Sequence, residues 1–151
     1  MKIYLARSIS GLSYAEVMEE YAKTVSKLGA LYHILNPMTA KGHLKSEKEF
    51  ASYGKYTHPV SVGHAIYERD KWMVQSCDIL FADLSGTTKA SIGVMYELAW
   101  AALLNKHTVL VLPEGNIHTH TFVRESADVV FTEYDEAIDY LLTLQRSIIG
   151  A

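Results

Sequence analysis

Apolar positions along the chain follow two alternating patterns. Short runs of β-branched and large apolar residues occur at 2–6, 31–35, 78–84, 107–112 and 128–132, each of strand length. Between them lie longer stretches, 14–28, 63–76, 91–105 and 135–146, that read as helices. In the first of these Val17, Tyr21, Val25 and Leu28 share a face, Ser13 stands ahead as N-cap, and Gly29 follows as the stop. The run Asp-Ile-Leu-Phe-Ala-Asp-Leu at 78–84 is apolar enough to be covered on both faces, as strands of a parallel sheet are. Five strands alternating with helices predict a doubly wound, flavodoxin-like α/β fold, its five-stranded parallel sheet in the order 2-1-3-4-5. Residues 1–151 read as one domain, because no linker or low-complexity run divides them. One segment, 38–62, breaks the alternation. It is polar, interrupted by Gly42, Gly54 and Pro59, and without a period, which makes it a candidate lid. The stretch 113–122 reads as a plain loop.

Composition narrows the partners. At 49% hydrophobic and 21% charged, 151 residues can bury a sizeable core. The net charge is −3 and Lys and Arg do not cluster, which argues against a nucleic-acid polymer but leaves a small anion open. No apolar run reaches 18 residues, so no membrane partner is expected. The start, Met1-Lys2-Ile3-Tyr4-Leu5-Ala6, enters a strand without a basic region or a small-residue cleavage site. The lone Cys77 excludes an internal disulfide and sits at a helix-to-strand junction, where buried packing is the better reading. Both features lead to an expected cytoplasmic location.

The candidate chemistry begins with Glu97, a carboxylate inside an otherwise apolar helix that starts just after a strand, at the edge where open α/β sheets bind ligands. Ser91 lies six residues earlier, under two helical turns, so both can face one pocket. A second segment, Arg7-Ser8-Ile9-Ser10-Gly11, joins the first strand to the first helix and can present backbone N–H groups to an anion. It is neither a Walker loop nor a dinucleotide fingerprint, and by itself it reads rather as an ordinary capping turn rich in small residues. A third is Glu68-Arg69-Asp70. If that helix faces the pocket through Asp70, Tyr67 and Val74 share its face; on its own, Asp70 reads first as a solvated surface residue.

Taken together, Ile3-Tyr4-Leu5-Ala6-Arg7-Ser8-Ile9-Ser10-Gly11, Glu68-Arg69-Asp70 with Asp78, and Ser91-x-Gly93-x-x-Tyr96-Glu97-Leu98 resemble the nucleoside 2-deoxyribosyltransferase superfamily. Within it they are most similar to the 2'-deoxynucleoside 5'-monophosphate N-glycosidases. The resemblance implies that Glu97 is a nucleophile, that Tyr4 orients it, and that Asp70 assists at the base and sugar. It also implies a 5'-phosphate held by Ser8, the backbone of Ile9, Ser10 and Gly11, and Ser91 with Gly93 beside it. Such chemistry needs one carboxylate to attack the anomeric carbon and an acid for the leaving group, roughly 5 Å apart in a retaining enzyme. No cofactor or metal is implied; His118-x-His120 lacks a convincing third ligand.

Position 91 separates branches of the family. Transferases acting on free nucleosides carry an acidic residue there, which would repel a phosphate by about 1 to 4 kcal/mol. Ser91 donates instead and favours a nucleotide. The expected activity is therefore hydrolysis of nucleoside monophosphates, with base exchange as the alternative and non-catalytic nucleotide binding as a third reading. Two departures stand out. The arginine usual in the family's first turn is replaced by Ser10, with Arg7 as a possible substitute, and Ala99-Trp100 stands where glycine followed by another residue is common. By the same resemblance a neighbouring subunit completes the site through 118–124, including His120, so a homodimer or larger homo-oligomer is expected.

Overall fold

A computed structural model describes residues 1–51 and 54–150. Five parallel strands form one sheet: β1 (Lys2–Arg7), β2 (His33–Leu35), β3 (Ile79–Asp83), β4 (His107–Val111) and β5 (Val129–Phe131). Their order is β2-β1-β3-β4-β5, the doubly wound arrangement expected from the alternation. Helices α1 (Tyr14–Leu28) and α5 (Tyr134–Ile149) pack together on one face, and α2 (Gly63–Ser76) and α3 (Ile92–Leu103) on the other.

The period-two alternation of β1 divides the core between these layers. Ile3 and Leu5 point into the cluster with Val17, Tyr21 and Leu141, whereas Tyr4 and Ala6 point into the cluster with Val74, Val94 and Leu98. This sidedness puts a tyrosine of β1 beneath α3. Because β1 lies between β2 and β3, the connections leaving β2 and β3 flank the turn that leaves β1. All three meet at the carboxyl edge of the sheet, the switch point of the winding.

Local signals hold at most boundaries. Ser13 caps α1 by accepting from the Glu16 N–H at 3.2 Å, while the Glu16 carboxylate accepts from the Ser13 N–H at 2.7 Å. Four details differ from the sequence reading. Val25 is 38% exposed and Thr24 is buried in its stead, because the Thr24 hydroxyl meets the Tyr134 phenol of α5 at 2.9 Å. The second strand begins at His33, not Leu31, since the amides of Leu31 and Tyr32 still bond back to the Leu28 carbonyl. The loop after Pro113 contains a short helix, α4 (Thr121–Glu125), capped by the His120 ring. Finally, Tyr67 does not share Asp70's face. It is 43% exposed and meets Tyr96 and Trp100 edge-on, with centroids 6.5 and 5.2 Å away, so Trp100 serves packing between α2 and α3.

Cys77 is buried, and burial pushes its thiol up to about 11, in keeping with packing. Among the described residues no helix is long and apolar enough to cross a membrane.

The capping box gives a direct check on the α1 start. Ser13→Ala is expected to lower stability by about 1 kcal/mol in denaturant unfolding, with the slope of the transition unchanged.

Candidate active site

A cavity of about 410 Å³ opens at this sheet edge. Its walls come from the β1 turn (Arg7, Ile9, Ser10), the segment after β2 (Pro37, Lys41, Leu44, Phe50, Tyr56), α2 (Ile66, Asp70) and the start of α3 (Ser91, Gly93, Glu97). A smaller cleft of about 100 Å³ shares Arg7 and Ser10 with it and adds Ser8, Gly11 and 85–89.

Glu97 lies on the inward face of α3 with only 8% of its surface exposed. Its Oε1 accepts a 2.7 Å hydrogen bond from the hydroxyl of Tyr4, a fully buried residue of β1. Burial and the nearby Glu97 charge hold the Tyr4 phenol well above its usual range, so it donates and stays neutral. Opposing effects compete on the carboxyl itself. Desolvation and, more weakly, the Asp70 charge disfavour its charged form, while the Tyr4 bond and, more weakly still, Lys41 favour it; desolvation wins and pushes Glu97 up to about 8. One oxygen is thus fixed by Tyr4, and Glu97 lines the cavity.

Asp70 is also 8% exposed and lines the same cavity from α2. Burial raises its pKa against the opposing pull of Arg69. The Arg69 Nε and one terminal nitrogen both reach Asp70 Oδ1, at 3.1 and 3.0 Å. The same guanidinium donates to the carbonyls of Pro37 and Val60, tying the cavity wall to α2. Its adjacency to Asp70 was visible in the sequence, but those two carbonyl partners were not. The 38–62 segment is further fastened by bonds from Gly11 N–H to the Phe50 carbonyl, Phe50 N–H to the Leu12 carbonyl and Tyr14 N–H to the Glu47 carbonyl. It contains one 3-10 turn, Gly42–Leu44, and buries Met38, Leu44 and Phe50. The candidate lid is therefore a packed wall, though Ser52 and Tyr53 within it lie outside the described residues.

The first turn only partly matches its expected role. Arg7 does not offer a free cation: its guanidinium pairs with Glu20 at 3.2 Å and Asp83 at 3.3 Å. Gly11 contributes shape, because its own N–H is taken by Phe50. Its φ of +85° suits glycine, and a Cβ there would lie 3.0 Å from the Lys89 ammonium. Lys89 thus stands against the turn, paired only loosely with Glu49 at 3.7 Å. Sequence reasoning missed Lys89 and Lys41 alike, since lysines in polar segments ordinarily read as solvated.

Ser91 is the N-cap of α3 but makes no side-chain cap bond. Its N–H donates at 2.8 Å to Nε2 of His118, whose Nδ1 faces Asn116 Oδ1 at 3.0 Å. An Nε2 that accepts implies a neutral ring with its proton on Nδ1; burial lowers the His118 pKa in agreement. His118 therefore braces Ser91 within its own chain. His120 is exposed, caps α4 and does not line the cavity of its own chain. Among the described residues no three His, Cys, Asp or Glu side chains gather as a metal site.

A family model for nucleoside 2-deoxyribosyltransferase matches residues 3–137, and the chain belongs to that family. No curated protein sequence matches it closely. Solved structures with the same fold include the CMP N-glycosidase BcmB of Clostridium botulinum, at 14% identity, TM-score 0.56, and 97% and 99% coverage of this chain and that one. A conserved protein of Enterococcus faecalis has 16% identity, TM-score 0.68 and coverage of 95% and 98%. The 2-desoxiribosyltransferase of Leishmania mexicana has 17% identity, TM-score 0.62 and coverage of 94% and 97%. The family comprises enzymes that transfer or hydrolyse glycosyl groups, and at these identities the structures speak for the fold.

The raised Glu97 pKa has a measurable sign. Between the unfolded value near 4.5 and the folded value of about 8, the native state binds the extra proton, so stability is lost as pH rises through that window. Glu97→Gln removes the titration. Its stability advantage over the parent is expected to grow from near zero below pH 4.5 to an amount on the order of 2 to 5 kcal/mol above pH 8. Denaturant unfolding at pH 5, 7 and 9 measures it; a gap independent of pH would show that Glu97 titrates normally.

Proposed function

We propose that the protein hydrolyses the N-glycosidic bond of (2'-deoxy)nucleoside 5'-monophosphates, releasing free base and the sugar 5-phosphate. The observation that carries this reading is the pairing of two features of α3. Glu97 is buried, bonded to Tyr4 and open to the cavity, while an uncharged Ser91 lines the same cavity from the start of the helix. A carboxylate desolvated to that extent costs free energy that packing alone does not require.

In the first step Glu97 attacks the anomeric carbon, the C–N bond breaks, its electron pair leaves with the base, and Asp70 supplies a proton to the departing ring. Burial raises the Asp70 pKa, which suits a proton donor. Tyr4 holds one Glu97 oxygen so that the other can attack. Water then cleaves the glycosyl ester, with Asp70 accepting the proton. The 5'-phosphate lies between the hydroxyls of Ser8, Ser10 and Ser91 and the first turn of α3 at Gly93, with Lys89 as its counter-charge in place of the occupied Arg7. Exposed Ile117 and Phe122 support a homo-oligomer, in which His120 and Arg124 of a neighbour approach the phosphate or base.

Expected behaviour follows for each group. A monophosphate should exceed its nucleoside in kcat/KM by well over tenfold, and Ser91→Asp should narrow or invert that ratio by setting like charge against the phosphate. Glu97→Gln should abolish base release yet still bind nucleotide. Labelled free base should be incorporated more slowly than nucleotide is hydrolysed; faster exchange would assign the protein to the transferring enzymes. Equal rates on nucleotide and nucleoside would remove the phosphate site.

The activity also has an expected pH dependence. Because Glu97 must be ionised to attack while Asp70 stays protonated, kcat/KM should show two limbs, one of them set by Glu97 at about pH 8. Tyr4→Phe removes a bond that favours the carboxylate, so it should move the Glu97 limb to higher pH and lower kcat. A limb unmoved in Tyr4→Phe would assign it to another group.

A further inference from the structure

Lys41 is a buried cation that the mechanism above leaves without a task. The residue is 3% exposed yet lines the cavity that holds Glu97, and among the described residues no hydrogen bond or ion pair holds its ammonium. Burial, aided by the Arg69 charge, lowers its pKa to about 8, while Asp70 and Glu97 pull weakly the other way. An ammonium on a largely buried stem is partly stripped of water, and the cavity it lines is the place where an acceptor oxygen would relieve that cost.

The topology indicates which part of a substrate supplies the oxygen. Ser91 and Lys89 belong to the connection leaving β3, and Lys41 to the connection leaving β2, on the other flank of the β1 turn. Beside Lys41 the wall is formed by Pro37, Leu44, Tyr56 and Ile66, surfaces suited to a flat ring. A substrate with its phosphate near Ser91 and its anomeric carbon at Glu97 directs its base toward that wall.

We propose that Lys41 donates a hydrogen bond to the 2-oxo oxygen of a departing pyrimidine base, making the site selective for 2-oxopyrimidine nucleotides over purine nucleotides. This rests on the hydrolase reading. When the bond between the anomeric carbon and ring N1 breaks, the electron pair left on N1 is shared with the adjacent O2 until Asp70 protonates the ring. An ammonium at O2 therefore binds the base and stabilises the charge that develops there. A purine leaving through N9 has no carbonyl beside that nitrogen.

The test compares the parent, Lys41→Met and Lys41→Arg on the 5'-monophosphates of deoxycytidine, deoxyuridine, deoxyguanosine and deoxyadenosine, and on free deoxycytidine. The parent should prefer the pyrimidines by tenfold or more in kcat/KM. Lys41→Met should lose at least thirtyfold on both pyrimidines and under threefold on both purines, with Lys41→Arg recovering part of the loss. Equal losses on all four, or a parent that prefers purines, would overturn the assignment. So would a loss confined to the nucleotide-over-nucleoside ratio, which would make Lys41 a phosphate contact. Met removes a buried charge and keeps the apolar stem, so the variant should fold; circular dichroism checks this, and Lys41→Gln replaces it if needed. Should the parent release no base from any nucleotide, the hydrolase reading fails on its own. Calorimetric binding of deoxycytidine and deoxyadenosine monophosphates then decides the Lys41 contact, a pyrimidine preference lost in Lys41→Met upholding it and no preference in the parent overturning it.

Discussion

The hydrogen bond between Tyr4 and Glu97 joins an interior strand, β1, to the helix above it, and the rest of the site is arranged around that contact. A carboxyl group buried on a helix whose Val94 and Leu98 belong to the core would be a liability in most helices. Here the phenol beneath it satisfies one oxygen at 2.7 Å, and the period-two facing of β1 is what puts a tyrosine at that spot. Both partners sit on elements in the middle of the sheet and its covering layer, so neither can shift without disturbing the core. Orientation is thereby obtained from packing.

The charged groups around this contact are unevenly compensated. Asp70 has Arg69, and Arg7 has Glu20 and Asp83, while Lys41 has no close partner among the described residues. Glu97 and Lys41 lie close enough to influence each other without touching, and burial shifts both toward neutrality. A ligand that supplies an acceptor to the amine and an electrophilic carbon to the carboxylate changes that balance at both ends.

Much of this architecture was legible in the residues. The apolar strand at 79–83 and the α3 helix bearing Glu97 declare themselves by length and period, and the strand order followed from their alternation with helices. Glu97 stood out because a lone carboxylate in an apolar helix has few structural explanations. Tyr4 was less legible: it looks like any core aromatic, and its role depends on a partner 93 positions away. Lys41, Lys89 and His118 lay beyond sequence reasoning because their meaning is tertiary. Lys41 becomes unusual only once Met38, Leu44 and Phe50 bury the segment around it, and His118 matters only because its ring reaches the Ser91 amide. Thr24 displaced Val25 from the α1 interface for a comparable reason, a hydroxyl partner on α5 that no helical wheel reveals.

The cavity wall between Pro37 and Val60 differs in kind from the frame it faces. It is fastened to α2 by one guanidinium and to the β1 turn by backbone bonds, and it carries no strand of the sheet. Lengthening such a connection costs little in closure entropy, of the order of 0.6 kcal/mol per doubling. A lineage with this scaffold can therefore exchange the wall wholesale, anchored at the same few points, and alter what the enclosed space accepts while the strand and helix holding the reacting carboxylate stay as they are.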